Sequence, residues 1–162
     1  MANIIAEALR QIAEMPEESQ NAATNMAFQM AVPFVATSKV HYEKVTSQEW
    51  IAHVPNEPEV HNHLQQVHAG AMMTLAESVA VTMMAMNLPA DRLPLVKSVN
   101  AQFVRRSSGR IRAIARLTDE QLHQIQTEPK GEVVIEVDIR DADDEVPAVI
   151  TVIPAWTTKK KK

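Results

Sequence analysis

The stretch Asn62–Met86, NHLQQVHAGAMMTLAESVAVTMMAM, decides how this chain is read. From Ala69 onward its spacing predicts one helix, apolar on nearly every side. Ala71, Met72, Met73, Leu75, Ala76, Val79, Ala80, Val81, Met83 and Met84 leave only Thr74, Glu77, Ser78 and Thr82 as polar positions. Those four recur at helical intervals and so share one stripe. A helix that is apolar all round belongs either in a membrane or at the centre of a folded core. Glu77 breaks the run near its middle, and Asn87 with Pro89 closes it. That leaves it short of the roughly 20 uninterrupted apolar residues of a membrane span. The expectation is a core helix wrapped by other elements, with a carboxylate inside it that needs a reason.

Composition narrows the classes. The 162 residues are 46% hydrophobic and 22% charged, enough for one domain with a sizeable core. A net charge of -4 gives no global pull toward nucleic acid or an anionic membrane, and neither is expected as a partner. The lack of cysteine excludes disulfides, thiolate metal sites and a cysteine nucleophile together. The only glycines are Gly70, Gly109 and Gly131, so no glycine-rich phosphate loop exists. The opening MANIIAEALRQIAEM places Glu7 before Arg10 and lacks the basic-then-apolar order of a signal peptide, which predicts a cytoplasmic protein.

Working outward toward the N-terminus, Ile4, Ile5, Ala8, Leu9, Ile12 and Met15 follow helical spacing up to Pro16. Glu17–Met30 reads as a second helix, stopped by Pro33. Val35–Val45 is expected to be extended, with Val40 and Tyr42 on one side and Lys39 and His41 on the other. Trp50, Ala52 and Val54 against Ile51 and His53 give another strand, broken by Pro55 and Pro58. On the far side, Leu95, Val99, Ala101 and Phe103 alternate with Ser98, Asn100 and Gln102. After Ser107-Ser108-Gly109, Ile111, Ala113, Ala115 and Leu117 alternate with Arg110, Arg112 and Arg116, so the two runs read as a hairpin. Thr118-Asp119-Glu120-Gln121 matches a capping box opening a helix to about Gln126. Val133, Ile135, Val137 and Ile139 form a further strand, and Val146–Trp156 the last. The Lys159–Lys162 tail reads as a solvated end or an appended sequence.

These faces fix an α+β architecture in a single domain over 1–162, with leading helices in 1–31 and the core in 35–157. Each late strand is apolar on one side, so an antiparallel sheet has one dry face to cover. A curled sheet wrapped around the long central helix satisfies most of both needs. One sheet cannot surround a helix completely, and a second subunit or the leading helices must close the remainder.

The pattern Asn62-x5-His68-Ala69-Gly70-x4-Leu75-Ala76-Glu77 resembles the N-x5-H-G-G-x4-L-A-D signature of hotdog-fold acyl-CoA thioesterases of the phenylacetyl-CoA type. Three positions depart from it: Ala69 replaces the first glycine, Gln65 stands where a glycine is frequent, and Glu77 replaces aspartate. The resemblance implies a hotdog fold and hydrolysis of an acyl thioester, carried by coenzyme A or an acyl-carrier protein, with no cofactor beyond the substrate's own coenzyme A. It implies a homodimer, or a dimer of dimers, whose site spans the interface. One protomer supplies Asn62, His68 and Gly70, with the Gly70 N–H as oxyanion donor, and the other supplies Glu77 as general base or nucleophile.

Other readings stand beside these. Glu77 could be hydrogen-bonded by a neighbour such as Ser78, and Asn62 and His68 could serve only to shape the start of the helix. Met73 and its neighbours suit either core packing or an acyl pocket. Arg105 and Arg106 could meet the phosphates of coenzyme A or lie on a solvated strand face. His61, His63 and His68 have no diagnostic metal spacing, so no metal ligand is assigned. A non-catalytic acyl-binding or regulatory module on the same fold is the main competitor, and a hydratase the next.

Overall fold

The computed structural model describes residues 3–159. In chain order its elements are α1 (Ile4–Ala13), α2 (Glu17–Ala31), α3 (Pro33–Thr37), β1 (His41–Val45), β2 (Glu49–Val54), a 3-10 turn (Pro58–Val60) and α4 (Ala69–Asn87). Then come β3 (Arg92–Phe103), β4 (Ile111–Arg116), α5 (Asp119–Thr127), β5 (Gly131–Glu132), β6 (Ile135–Arg140) and β7 (Ala148–Thr158). One seven-stranded antiparallel sheet in the order β1-β2-β4-β6-β7-β3, with β5 added beside β7, curls around α4. This is the hotdog fold.

The apolar character of α4 follows from that position. Leu75, Ala76, Val79, Ala80, Met83 and Met84 are fully buried against inward residues such as Trp50, Ala113, Ile139 and Ile150. By length and composition α4 could cross a membrane, but here the sheet holds it as the core helix. The leading helices close one flank. The Asn3 side chain caps α1 by accepting from the Ile5 N–H, and its amide donates to the Ala85 and Leu88 carbonyls at the end of α4. Phe28 of α2 packs on Tyr42 and Trp50, with ring centroids 4.9 and 5.3 Å away.

The α5 capping box is present in full, with Thr118 Oγ1 accepting from the Gln121 N–H and Gln121 Oε1 from the Thr118 N–H. Lys159 is fastened to Ala90 and Asp91, while 160–162 of the expected tail lie outside the described residues. Residues 35–37, expected to be extended, instead complete the short helix α3. Pro33 occupies its first turn, where a missing N–H costs nothing, so the proline that ends α2 also starts a helix. Lys39, at φ 55°, then turns the chain into β1.

The expected hairpin between residues 95–103 and 111–117 does not form. β3 pairs with β7 along its whole length, from Arg92 opposite Thr158 to Phe103 opposite Ala148, and β4 lies between β2 and β6. The segment between β3 and β4 arches over the sheet end, and Asp141 holds it there. The Asp141 carboxylate accepts from the Ser108, Asp143 and Glu145 N–H groups, and Ser108 O accepts from the Ala142 N–H. Gly109 sits at φ 62°, and a Cβ there would lie 2.7 Å from Ala142 Cβ, so this arch requires glycine. Alternation identifies a strand's faces but not its neighbour. β3 is also drier in sequence than in space: Leu95 and Phe103 are almost half exposed, because β3 is an edge strand.

Candidate active site

The site begins in the loop that carries β2 into α4. Asn62 organises it: its Oδ1 accepts from the Leu64 and Gln66 N–H groups at 2.8 and 3.2 Å, and its own N–H donates to Gln66 O at 2.8 Å. The His68 N–H donates to Val60 O, closing the loop base. Gln65 is held at φ 57°, in the left-handed region that favours glycine. That conformation accounts for the glycine frequent there in the resembled motif.

His68 is the N-cap of α4. Its Nδ1 accepts from the Gly70 N–H at 2.9 Å, so the donor expected to hold an oxyanion is turned onto a side chain of its own loop. The ring lies across the helix start, and a Cβ on Gly70 would stand 3.1 Å from that nitrogen. Turning His68 about its side-chain torsions exposes the N–H at the positive end of the helix.

Glu77 lies two turns further on, about 10.5 Å along the axis at 1.5 Å per residue. With Gly70, Met73, Thr74 and Val81 it occupies the stripe of α4 that the sheet leaves uncovered. Partial burial raises its pKa above the usual carboxylate value, and among the described residues its side chain has no hydrogen-bond partner. Ser78, read from the sequence as part of the same polar stripe, is turned inward and buried, and its Oγ has no hydrogen-bond partner among the described residues. The bland reading in which Ser78 satisfies Glu77 is therefore not what the side chains do.

Sequence reasoning missed Tyr42 as a neighbour of this site. Burial pushes its phenol up to about 12, against the nearby Thr82 and Ser78 hydroxyls, and the Glu77 charge raises it further. Its inward-pointing alternation was the available signal. Asn62, His68, Gly70 and Met73 thus gather at the start of α4, with Glu77 further down the same helix. Arg105 and Arg106 stand apart, on the arch after β3. Arg105 reaches the buried Asp141 at 3.6 Å and Glu145 at 3.5 Å, while Arg106 is exposed with no ion pair among the described residues. His61, His63 and His68 do not assemble into a metal-holding group.

The fold has close counterparts among solved structures. A Pseudomonas aeruginosa protein of unknown function, described as a "Probable Thioesterase", superposes with TM-score 0.76 at 26% identity, covering 90% of this chain and 97% of that one. A thioesterase from Haemophilus influenzae matches with TM-score 0.68 at 16% identity, over 85% of this chain and 90% of its own. A second Pseudomonas aeruginosa structure, of a mutant thioesterase, gives TM-score 0.68 at 19% identity, over 90% and 97% of the two chains. No curated protein matches the chain. The family model described as Domain of unknown function (DUF4442) matches residues 20–156, and the chain belongs to that family.

Proposed function

We propose that this thioesterase-like hotdog protein hydrolyses an acyl thioester, of coenzyme A or an acyl-carrier protein, in a site shared between two copies of the chain. The observation that carries this reading is Glu77: a carboxylate on the open stripe of the core helix, partly desolvated and without a hydrogen-bond partner among the described residues. A carboxylate left so poised is costly unless a ligand or a partner uses it. Within one chain it lies too far from Gly70 to act on the same carbonyl carbon. A homodimer that faces one α4 stripe toward the other removes that difficulty.

In the reaction, the thioester carbonyl oxygen takes the Gly70 N–H after His68 turns aside, and Asn62 holds the loop that presents it. Glu77 of the second copy removes a proton from water, the hydroxide adds to the carbonyl carbon, and the C–S bond breaks. The thiolate leaves with the proton, giving a carboxylic acid and a free thiol. Met73 flanks the acyl group, and Arg106, unlike the engaged Arg105, is free to meet a substrate phosphate.

A second reading is supported by the Gly70 N–H bonded to His68 and by the Asn62 side chain spent on its own loop. Both suit an acyl-binding or regulatory module without turnover. Thiol release measured across acyl-CoA chain lengths decides between them. Hydrolysis yields one free thiol per acyl group consumed, whereas acyl-CoA binding with no thiol above the buffer rate leaves only the module.

A further inference from the structure

His41 on β1 and His53 on β2 are directly opposite in the strand register, on the sheet face turned away from α4. Their ring centroids lie 5.5 Å apart with 26° between the planes. Two imidazoles on one tetrahedral zinc ion, with Zn–N near 2.1 Å, place their centroids about 5 Å apart. The two rings stand near that separation but are stacked, so each must turn about its Cβ–Cγ bond to aim a nitrogen at one ion. His53 Nδ1 lies 2.8 Å from Glu43 Oε1, and the other Glu43 oxygen accepts from Arg112 Nε at 2.8 Å. The His53 Nε2 is left over, backed by a carboxylate in the arrangement found behind metal-bound imidazoles. A cavity of about 430 Å³ opens over the pair, bounded also by Asn25, Pro55 and Glu57.

From this geometry we propose that His41 and His53 form a binding site for a late first-row divalent cation, zinc in the first instance. Imidazole ligands select zinc, copper and nickel over magnesium and calcium. No three His, Asp or Glu side chains among the described residues already close on one point, so the site is a two-imidazole chelate completed by water. Glu57 lines the same cavity. The facing charges are Glu43 and Glu57, which favour a cation, and Lys39 and Arg112, each paired to one of those carboxylates. A bound ion would pin β1 to β2 where the chain leaves for the Asn62 loop.

The test is a calorimetric titration of the full chain with zinc chloride, beside nuclear magnetic resonance with nickel chloride. One zinc per chain is expected, with binding weakened more than about tenfold in His41→Ala and in His53→Ala. Glu43→Gln should weaken it roughly tenfold, the usual size of such a backing interaction. Nickel should broaden the His41 and His53 ring protons before those of His61, His63, His68 and His123, a reading that needs no variant to fold. No zinc binding, or binding and broadening centred on the other four histidines, overturns the proposal and leaves the pair as a stacked rung of the sheet.

Discussion

At one edge of the sheet, β1 spans only His41–Val45, is kinked by a register shift between Tyr42 and Lys44, and lies under α2. Asn25 accepts the Tyr42 N–H at 2.7 Å, while Asn25 and Asn21 together donate to Tyr42 O at 2.9 and 2.8 Å. At the other edge, β3 runs from Arg92 to Phe103, and among the described residues no strand or helix covers its outer side. Leu93, Leu95, Val96 and Phe103 stand 44–47% exposed along it. A sheet edge left bare is a template for another chain, and proteins that do not use it seal it. One edge is sealed by side chains placed for the purpose. The other is long, apolar and open.

If the open edge exists because a second copy completes the site, chemistry should fail most when that site is broken. Glu77→Gln should fold and bind acyl-CoA yet lose on the order of 10²-fold or more in kcat, since an amide neither attacks nor takes a proton. Mixing it with an Asn62→Ala, His68→Ala double variant should restore activity, because one of the two shared sites is whole. In wild type, kcat should rise with pH through the raised Glu77 value and then level, as the base ionises. Mixed dimers that form and stay inactive would separate the open edge from catalysis.

The next largest effect should come from the edge itself. Leu93→Glu with Leu95→Glu places charges on side chains already half in water, so the fold of one chain should survive. An interface over β3 would have to desolvate both carboxylates, raising the dimer dissociation constant on the order of 10²-fold. Sedimentation at micromolar concentration reads this directly. An unchanged dimer mass would move the interface elsewhere.

The sealed edge predicts a different response. Asn25→Ala removes both bonds to Tyr42 and leaves its N–H to water or to nothing, which should cost about 1–2 kcal/mol of stability. The oligomeric state should not change. Urea unfolding of the variant against wild type measures the first, and sedimentation the second.

How much of this contrast the sequence carried depends on the range of each signal. Local patterns were readable: the α4 helix from its all-round apolar run, α5 from its capping box, and inward Tyr42 and Trp50 from alternation. Partnerships were not. β3 and β4 lie close in sequence, but each pairs with other strands, and Asp141, 33 residues from Ser108, fastens the arch between them. Which edge would be open was likewise invisible, because Asn21 and Asn25 look like ordinary helix-surface residues until β1 is placed under them. For the proposed site, the motif is what points to Asn62, His68, Gly70 and Glu77. It could not show that His68 takes the Gly70 N–H, since a ring torsion leaves no mark in residue spacing.

The smallest expected effect separates the two edges by their physics. β3 carries one device that resembles protection: a register shift between Val96 and Ser98, with Lys97 between them reaching Glu132 at 2.5 Å. Both partners are about half exposed, so the pair gains little over solvated charges and is screened by salt. Lys97→Ala should therefore change stability by less than about 1 kcal/mol at low salt, and by nothing measurable near 1 M. The Asn25 bonds at the other edge are neutral and partly buried, so the cost of Asn25→Ala should persist at both salt concentrations. Urea midpoints for the two variants at low and high salt make the comparison. If Lys97→Ala costs as much as Asn25→Ala and keeps that cost in 1 M salt, β3 is a sealed edge after all, and it is not the interface of the proposed dimer.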